Sequence, residues 1–416
     1  MMGALLCRTG VTVCSALRTI GLGADKHFSR YHRLLNRDRW NMLLGAKTLL
    51  LMLLRLFNPS CVITFALDDT LERRRGCKIR AKGRFKDSVQ SSANGKIVIS
   101  SGLRWMPVML LTSIPLIGRI VALPFLTILT PSEKRQKELK QKYRSLQKRA
   151  IQVVYLLRRW FPSFQLRLVV DAGYASVELA RQCIQQDVSL ITRLRSGTRL
   201  FEFAPPRTGK RGRPPTKGKR LDFQKIIATL VWDKHTIKGY GGKEMIKDIA
   251  EFICLWAPSD GGNPIPVRII VSRDLDGSLF NLLTTDLKMP AKEAVEIYIS
   301  RWSQEVTHRE VREHLGMETQ RQWSDLAIDR TTPLIFALYS LTFIMASHLH
   351  DHNPLQASQS AWYNKINLTF SDLLNNVRKV LRYHIFSRLW TTDPILQKFS
   401  PSKELLEAML RMAEAA

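Results

Sequence analysis

Three acidic side chains stand at positions where carboxylates could hold a divalent metal. Asp68 directly follows an apolar run, Cys61–Leu67, and Asp171 directly follows a second one, Gln165–Val170. Short apolar runs of this kind predict buried strands, and ligands collect at strand ends in an α/β sheet. The third acid, Glu305, lies in a segment with helical periodicity. A site built from carboxylates alone favours Mg²⁺ or Mn²⁺.

The segment around Glu305 places charged and aromatic residues on one helix face. At about 100° per residue, positions 298, 301, 305 and 312 fall within roughly 60° of one another. Tyr298, Arg301, Glu305 and Arg312 therefore share a face. A purely structural amphipathic helix would bury apolar groups there, so this face favours an acidic ligand beside a metal held by Glu305. The alternative is a solvated i, i+4 salt bridge between Arg301 and Glu305.

The elements between the acids predict how a sheet brings them together. After the strand that ends at Asp68 come two further strands, a helix, and the strand that ends at Asp171. The sequence Thr130 to Glu133 resembles a capping box with proline at the first helical position, which predicts one long charged helix over Pro131–Trp160. This order matches a ribonuclease H-like core, whose first and fourth strands lie side by side. The other predicted elements are strands Lys96–Ser100, Arg119–Leu129 and Ser189–Leu194 and a helix over Ser176–Gln185.

We predict an α/β protein with a ribonuclease H-like mixed sheet, an inserted mainly-β region, and helical N- and C-terminal parts. Helices Thr9–Leu22 and His27–Asn36 are compatible with a helix-turn-helix that reads DNA. Strand-like runs in the insertion are Ile226–Trp232, Glu251–Trp256 and Val267–Ser272. The predicted parts are 1–60 (helical, DNA-binding), 61–196 (first part of the catalytic core), 197–285 (insertion), 286–350 (second part of the core) and 351–416 (helical).

The charge of the chain predicts a polyanionic partner. There are 64 Lys and Arg against 35 Asp and Glu, a formal charge of +29, and such an excess attracts nucleic acid or an anionic membrane. The apolar stretches Leu49–Leu54 and Leu103–Thr130 are too short or too interrupted by Arg and Pro to span a membrane, so we expect buried core and no membrane partner. The six cysteines form no Cys-x-x-Cys pair, which argues against structural zinc and favours reduced thiols in the cytoplasm.

A basic loop and two tryptophans are further candidates for contact with nucleic acid. The run Arg207–Arg220 includes Lys210, Arg211 and Arg213, and its Arg-Gly-Arg-Pro core is similar to an AT-hook that enters narrow A·T minor grooves. The alternative is a solvated loop that binds phosphates without sequence preference. Trp302 and Trp323 could stack on an unpaired base or pack in the core.

Three motifs, in order along the chain, resemble one family. The positions Tyr298, Arg301, Glu305 and Arg312 are similar to the Tyr-(2)-Arg-(3)-Glu-(6)-Lys signature of bacterial insertion-sequence DDE transposases, with Arg312 in place of lysine. Asp171-Ala172-Gly173-Tyr174 resembles the motif at the family's second acid, and Asp68-Asp69-Thr70 resembles the motif at its first. The resemblance covers roughly residues 60 to 350.

This resemblance implies metal-dependent cleavage and strand transfer of DNA at the ends of the protein's own element. Asp68, Asp171 and Glu305 would be catalytic and would hold two Mg²⁺ or Mn²⁺ ions, with Asp69 as the competitor for the first acid. Tyr298, Arg301 and Arg312 would grip phosphates.

The partners that the resemblance implies are double-stranded DNA, as terminal inverted repeats and target, and a second copy of the chain on that DNA. The expected location is a bacterial cytoplasm, at the nucleoid. Two alternatives stay open. One is an inactive or repurposed DNA-binding protein derived from a transposase, and the other is a ribonuclease H-like nuclease of repair or RNA processing.

Overall fold

The apolar runs of the sequence form strands that hydrogen-bond into one mixed sheet flanked by helices. The computed structural model describes residues 1–8, 10–206, 214–259, 261–362 and 364–392, and the twelve strands found there share this sheet. The strands are β1 (Val62–Leu67), β2 (Thr70–Arg73), β3 (Gly83–Lys86), β4 (Ile99–Ile114), β5 (Arg119–Leu129), β6 (Gln165–Val170), β7 (Val188–Arg193), β8 (Leu200–Phe201), β9 (Asp233–Lys238), β10 (Glu244–Trp256), β11 (Ile265–Arg273) and β12 (Leu279–Thr284).

Along the chain, helices precede the first strand, separate groups of strands and follow the last strand. They are α1 (Met2–Leu6), α2 (Val13–Thr19), α3 (Ser29–Asn36), α4 (Met42–Phe57), α5 (Ser88–Asn94), α6 (Glu133–Glu138), α7 (Leu146–Trp160), α8 (Val177–Gln185), α9 (Phe223–Ile227), α10 (Ala291–Ser300), α11 (Ser303–Leu315), α12 (Asp325–His352) and α13 (Phe370–Thr392). The mixed α/β class predicted from the sequence is confirmed.

The centre of the sheet consists of the two strands that lead to the predicted acids. β1 and β6 pair in parallel, with Leu67 opposite Val170, and β6 pairs in parallel with β7. All three strands are largely buried, as parallel strands covered on both faces must be. The prediction that the two acid-bearing strands are neighbours is confirmed.

A long hairpin forms the other side of β1. β4 pairs antiparallel with β1 and with β5, and the strands of this hairpin carry most of the stretch Leu103–Thr130. The stretch is largely buried, with Leu103, Trp105 and Leu123 fully enclosed, which confirms that it is core. The predicted strand Lys96–Ser100 is only the beginning of β4, which starts at Ile99.

The strands of the predicted insertion continue the same sheet rather than forming a separate one. β12 pairs antiparallel with β7, and β11 and β10 follow it in the strand order. The strand-like run Ile226–Trp232 was predicted wrongly, because Asp222 caps a short helix, α9, with its side chain. A local side-chain-to-backbone bond of this kind favours a helix start over an extended chain.

The single long helix predicted over Pro131–Trp160 is two helices, α6 and α7. The helical path is interrupted around Lys140, whose φ is 54°, and the buried Gln136 stabilises the break. Its side-chain amide donates to the carbonyl of Pro131 and its oxygen accepts from the backbone N–H of Arg144. The predicted capping box does not form, since Ser132 is the N-cap and its side chain makes no capping bond.

Helix α12 packs along β5 and ties the terminal helices to the sheet. The Ser340 hydroxyl donates to the Pro124 carbonyl, and Arg330 donates to the carbonyls of Leu34 within α3 and Asp38 just after it. By length and composition α12 could cross a membrane, although half of its most apolar window is buried inside the protein. Core helices of water-soluble proteins have the same properties.

Candidate active site

The first two acids meet because their strands are paired in register. Asp68 and Asp171 each directly follow the paired residues Leu67 and Val170, so the two aspartates leave the sheet side by side at its carboxyl edge. Asp68 is mostly enclosed, with 17% of its side chain exposed. Its Oδ1 accepts the backbone N–H of Asp69 at 2.8 Å, which fixes the carboxylate.

Glu305 reaches this edge from the first turn of α11. The predicted continuous helix bends between α10 and α11, where Arg301 and Trp302 close short turns onto Tyr298 and Ile299. The bend leaves Arg301 between two acids, because its Nη1 lies 3.7 Å from Asp68 Oδ2 and 3.7 Å from Glu305 Oε1. The i, i+4 pair of Arg301 and Glu305 thus exists, but it belongs to a cluster that includes Asp68.

A histidine completes this cluster. Among the described residues, ligand atoms of Asp68, Glu305 and His308 all lie within 4.8 Å of one another. His308 was not singled out from the sequence, although its place three residues after Glu305 puts both on one helix face. Its side chain is buried, and its Nε2 has no hydrogen-bond partner. Burial, with Arg312 and Arg301 nearby, lowers the pKa of His308 to about 3, so the imidazole is neutral.

Asp171 and Asp69 are each held by a tyrosine. The Tyr298 hydroxyl donates to Asp171 Oδ1 at 3.4 Å, and Tyr174 donates to Asp69 Oδ1 at 3.2 Å. Tyr298 is 5% exposed, so its hydroxyl orients the second acid from inside the fold. Asp69 faces Tyr174 instead of Glu305, and Asp68 is the aspartate beside the helix acid.

The electrostatics of the cluster fit a bound cation. Burial, together with the charges of Glu305 and Asp69, raises the pKa of Asp68 to about 7 against the opposing effect of Arg301. Carboxylates crowded in a poorly solvated place repel each other, and a divalent ion relieves that repulsion. Two carboxylates and a neutral imidazole with an unpartnered nitrogen are suitable donors, so these residues fit a metal.

Arg312 contacts the segment that follows the first acid. Its guanidinium donates to the Thr70 hydroxyl and to the Leu71 carbonyl at 3.1 Å, and it pairs with Glu318 at 3.5 Å. Arg73, in the basic run after Asp68, also pairs with Glu318. These contacts are intramolecular, and they lock α11 to the chain that leaves β1. The phosphate contact expected of Arg312 stays a prediction.

Two tryptophans and the basic run were the remaining candidates for DNA contact. Trp302 and Trp323 are 54% and 59% exposed, so core packing is ruled out for both, and base stacking stays a prediction. Lys210, Arg211 and Arg213 lie outside the described residues.

Comparison with known proteins identifies the family. Residues 1–237 match the family described as DDE superfamily endonuclease. This chain belongs to that family. Among curated proteins, none matches the sequence. One solved structure with similarity to this DDE-family chain is a cryo-EM structure of the piggyBac transposase synaptic complex with hairpin DNA. It is 11% identical, with 99% of this chain and 74% of that chain covered, at a TM-score of 0.45.

Family membership agrees with the acidic cluster. DDE endonucleases generally use divalent metals, and this DDE-family chain brings acids from a strand end and a helix to one place. The matched region contains Asp68 and Asp171 and ends before Glu305, so the third acid rests on the geometry and on the motif around it.

Proposed function

We propose that this protein is a transposase that cleaves DNA at the ends of its own insertion sequence and joins those ends to a target. Its catalytic residues would be Asp68, Asp171 and Glu305, with two Mg²⁺ or Mn²⁺ ions. When bound, the ions would activate the attacking hydroxyl and stabilise the leaving oxygen.

One observation carries this proposal. Two aspartates follow paired parallel strands in register, and a glutamate from a helix far along the chain converges on the first of them. Burial beside Glu305 and Asp69 raises the pKa of Asp68, and acids perturbed in this way cluster at functional sites. The convergence supports a metal-dependent reaction and supports Asp68, rather than Asp69, as the first acid.

The strand order supports a ribonuclease H-like core. The sequence β5-β4-β1-β6-β7 across the sheet, with β4 antiparallel to β1 and with β1, β6 and β7 parallel, corresponds to first and fourth strands that lie side by side. The strands β8 to β12 then extend the sheet beyond β7. Under this interpretation the insertion is a continuation of the catalytic sheet.

Each neighbouring side chain has a task that its contacts define. Tyr298 orients Asp171 through its hydroxyl, and Arg301 offsets the charge of Asp68 and Glu305. With a metal bound to these acids, the guanidinium would be available to bind a phosphate, for which its fork geometry is suited. Arg312 fixes the segment after Asp68 relative to α11.

The partner we propose is double-stranded DNA, as the element ends and as the target. The formal charge of +29 and the exposed Trp302, which lies beside Arg301 in the chain, and Trp323 support a nucleic-acid partner. We further propose that two copies act together, one on each end of the element.

The decisive experiment is cleavage of a labelled duplex that carries the element's own end, in Mg²⁺ and in Mn²⁺, by the wild type and by Glu305→Ala. We expect the wild type to cut at the element boundary, and the variant to bind the same duplex without cutting. Binding without cleavage by the wild type in both metals would favour the DNA-binding protein without catalysis. Cleavage that survives Glu305→Ala would place the active site elsewhere.

A further inference from the structure

His308 is an unusual residue to bury without a partner. Its side chain is 4% exposed, and Nε2 makes no hydrogen bond, although buried polar atoms are nearly always paired. Leaving such an atom unsatisfied costs about 1–3 kcal/mol. The ring lies nearly perpendicular to Phe336, at 6.0 Å between centroids, so the fold fixes the position of the imidazole.

The same ring faces the acidic cluster. One of its nitrogens lies within 4.8 Å of carboxylate oxygens of both Asp68 and Glu305. Glu305 and His308 stand at i and i+3 on α11, a spacing that lets a glutamate and a histidine of one helix bind one metal. Asp68 approaches from the end of β1, so the three donors come from two rigid elements.

We propose that His308 is a metal ligand, and that the site of Asp68 and Glu305 takes a divalent transition ion through one nitrogen and two oxygen donors. The inference rests on the proposed function, because both require a metal at these two acids. Magnesium prefers oxygen ligands and keeps most of its water, whereas imidazole suits transition ions. The site therefore binds Mn²⁺ in preference to Mg²⁺.

The test uses Mn²⁺ as a spectroscopic probe in the full-length protein. Pulsed electron paramagnetic resonance of bound Mn²⁺ detects a directly coordinated nitrogen. We expect a ¹⁴N coupling in the wild type that changes to a ¹⁵N coupling when the protein is grown on ¹⁵N-histidine. The same signal should be lost in Asp68→Asn, which shows that the coupled histidine belongs to this site and not to the surface residues His348 or His352. This measurement needs no change at His308.

A substitution gives the matching thermodynamic result. His308→Gln keeps a side chain of similar size and offers an oxygen in place of the nitrogen. We expect it to weaken Mn²⁺ binding about tenfold or more and to change Mg²⁺ binding much less, in titrations on protein whose circular dichroism matches the wild type. Equal losses for the two ions would overturn the assignment of His308 as a nitrogen ligand.

The outcomes separate this inference from the proposed function. If Mn²⁺ binds in a way that depends on Asp68 and Glu305 but shows no histidine nitrogen, His308 is not a ligand and the proposed function stands. If the wild type binds neither Mn²⁺ nor Mg²⁺ at these acids, alone or on DNA, both proposals fail.

Discussion

Asp68, which we propose as a catalytic residue, is costly to the fold that carries it. Its pKa rises from 3.8 to about 7 because it is buried beside Glu305 and Asp69. Below about pH 7 the folded protein therefore prefers the protonated form of the Asp68 carboxyl group. A group of this kind lowers stability as pH increases through the interval between the unfolded and folded pKa values.

We therefore expect Asp68→Asn to stabilise the metal-free protein at pH 8 by roughly 1–3 kcal/mol. The difference should shrink as pH falls from 7 and vanish below 4, where Asp68 is protonated in both states. Urea unfolding in chelator at several pH values measures it. Saturating Mn²⁺ supplies the control, since ligand binding should raise the stability of the wild type only. A wild type that is more stable than the variant in chelator at pH 8 would contradict the argument.

Arg312 could act in two ways that an experiment can separate: by positioning the segment after Asp68, or by contacting a DNA phosphate directly. Its Nη2 donates to Thr70 and Leu71, which makes it a positioning residue. We expect Arg312→Lys to lower the cleavage rate about tenfold, because an ammonium cannot reproduce the fork, while DNA affinity changes less than about twofold. The alternative result is a fall in DNA affinity, with the slope of log affinity against log salt reduced by about one. That result would mean that Arg312 contacts a phosphate directly. Glu318→Gln, which removes the carboxylate that Arg312 shares with Arg73 and leaves Arg312 itself unchanged, is the control.

The elements show what sequence patterns can and cannot specify. Strands Arg119–Leu129 and Gln165–Val170 were predicted to the residue, because a continuous apolar run between turn residues has few alternatives. The break between α6 and α7 was missed, since it contains no glycine or proline and depends on the amide of Gln136. The bend at Arg301 was missed as well, because helical periodicity continues through it. Both features arise from local side-chain and backbone hydrogen bonds that the spacing of apolar residues does not encode.

Two separate constraints, a left-handed backbone and a close neighbour, favour glycine at position 316, where α11 ends. Gly316 has φ 71°, and a Cβ there would lie 2.5 Å from Val11 Cγ2. Gly118 has φ 63° but nothing within 4 Å of the same position. The pair therefore separates the cost of the backbone conformation from the cost of a steric clash.

We expect Gly118→Ala to lower the free energy of unfolding by about 1–2 kcal/mol, from the left-handed backbone alone. Gly316→Ala should cost about 1–3 kcal/mol more, because the N-terminal segment that carries Val11 must also move. Urea midpoints of the two variants provide the comparison. Equal losses would mean that the N-terminal segment yields freely, and that it does not help to hold the helix that carries Glu305.

For the whole molecule, charge says more about the partner than about the fold. The positive excess was plain in the sequence, whereas the cluster of Asp68, Glu305 and His308 required the sheet and the bend after α10 to be known. Several of the basic residues in the sequence turned out to serve the fold, as Arg73 does with Asp87 and Glu318. Only the charges that remain unpaired can release counterions from DNA, so net charge alone overstates the contact.

The basic run that contains Lys210, Arg211 and Arg213 is therefore best tested by the salt dependence of binding. Each phosphate contact contributes about 0.9 to the slope of log affinity against log salt, so glutamine at all three positions should lower the slope by up to about 3. The matched control replaces Lys134, Lys140 and Lys142, which are exposed on and after α6, and it should change the slope less. Equal changes would mean that the run has no special place on the DNA.

The same variant distinguishes the two interpretations of the run. Phosphate contact without sequence preference predicts the same loss on A·T-rich and G·C-rich duplexes, whereas insertion of arginine into a narrow minor groove predicts a larger loss on A·T-rich DNA. Fluorescence anisotropy on the two duplexes over a range of salt concentrations gives both answers. We expect equal losses, because non-specific phosphate contacts supply most of the affinity of a chain this basic. A selective loss on A·T-rich DNA would instead assign the run a role in choosing where on DNA the protein binds.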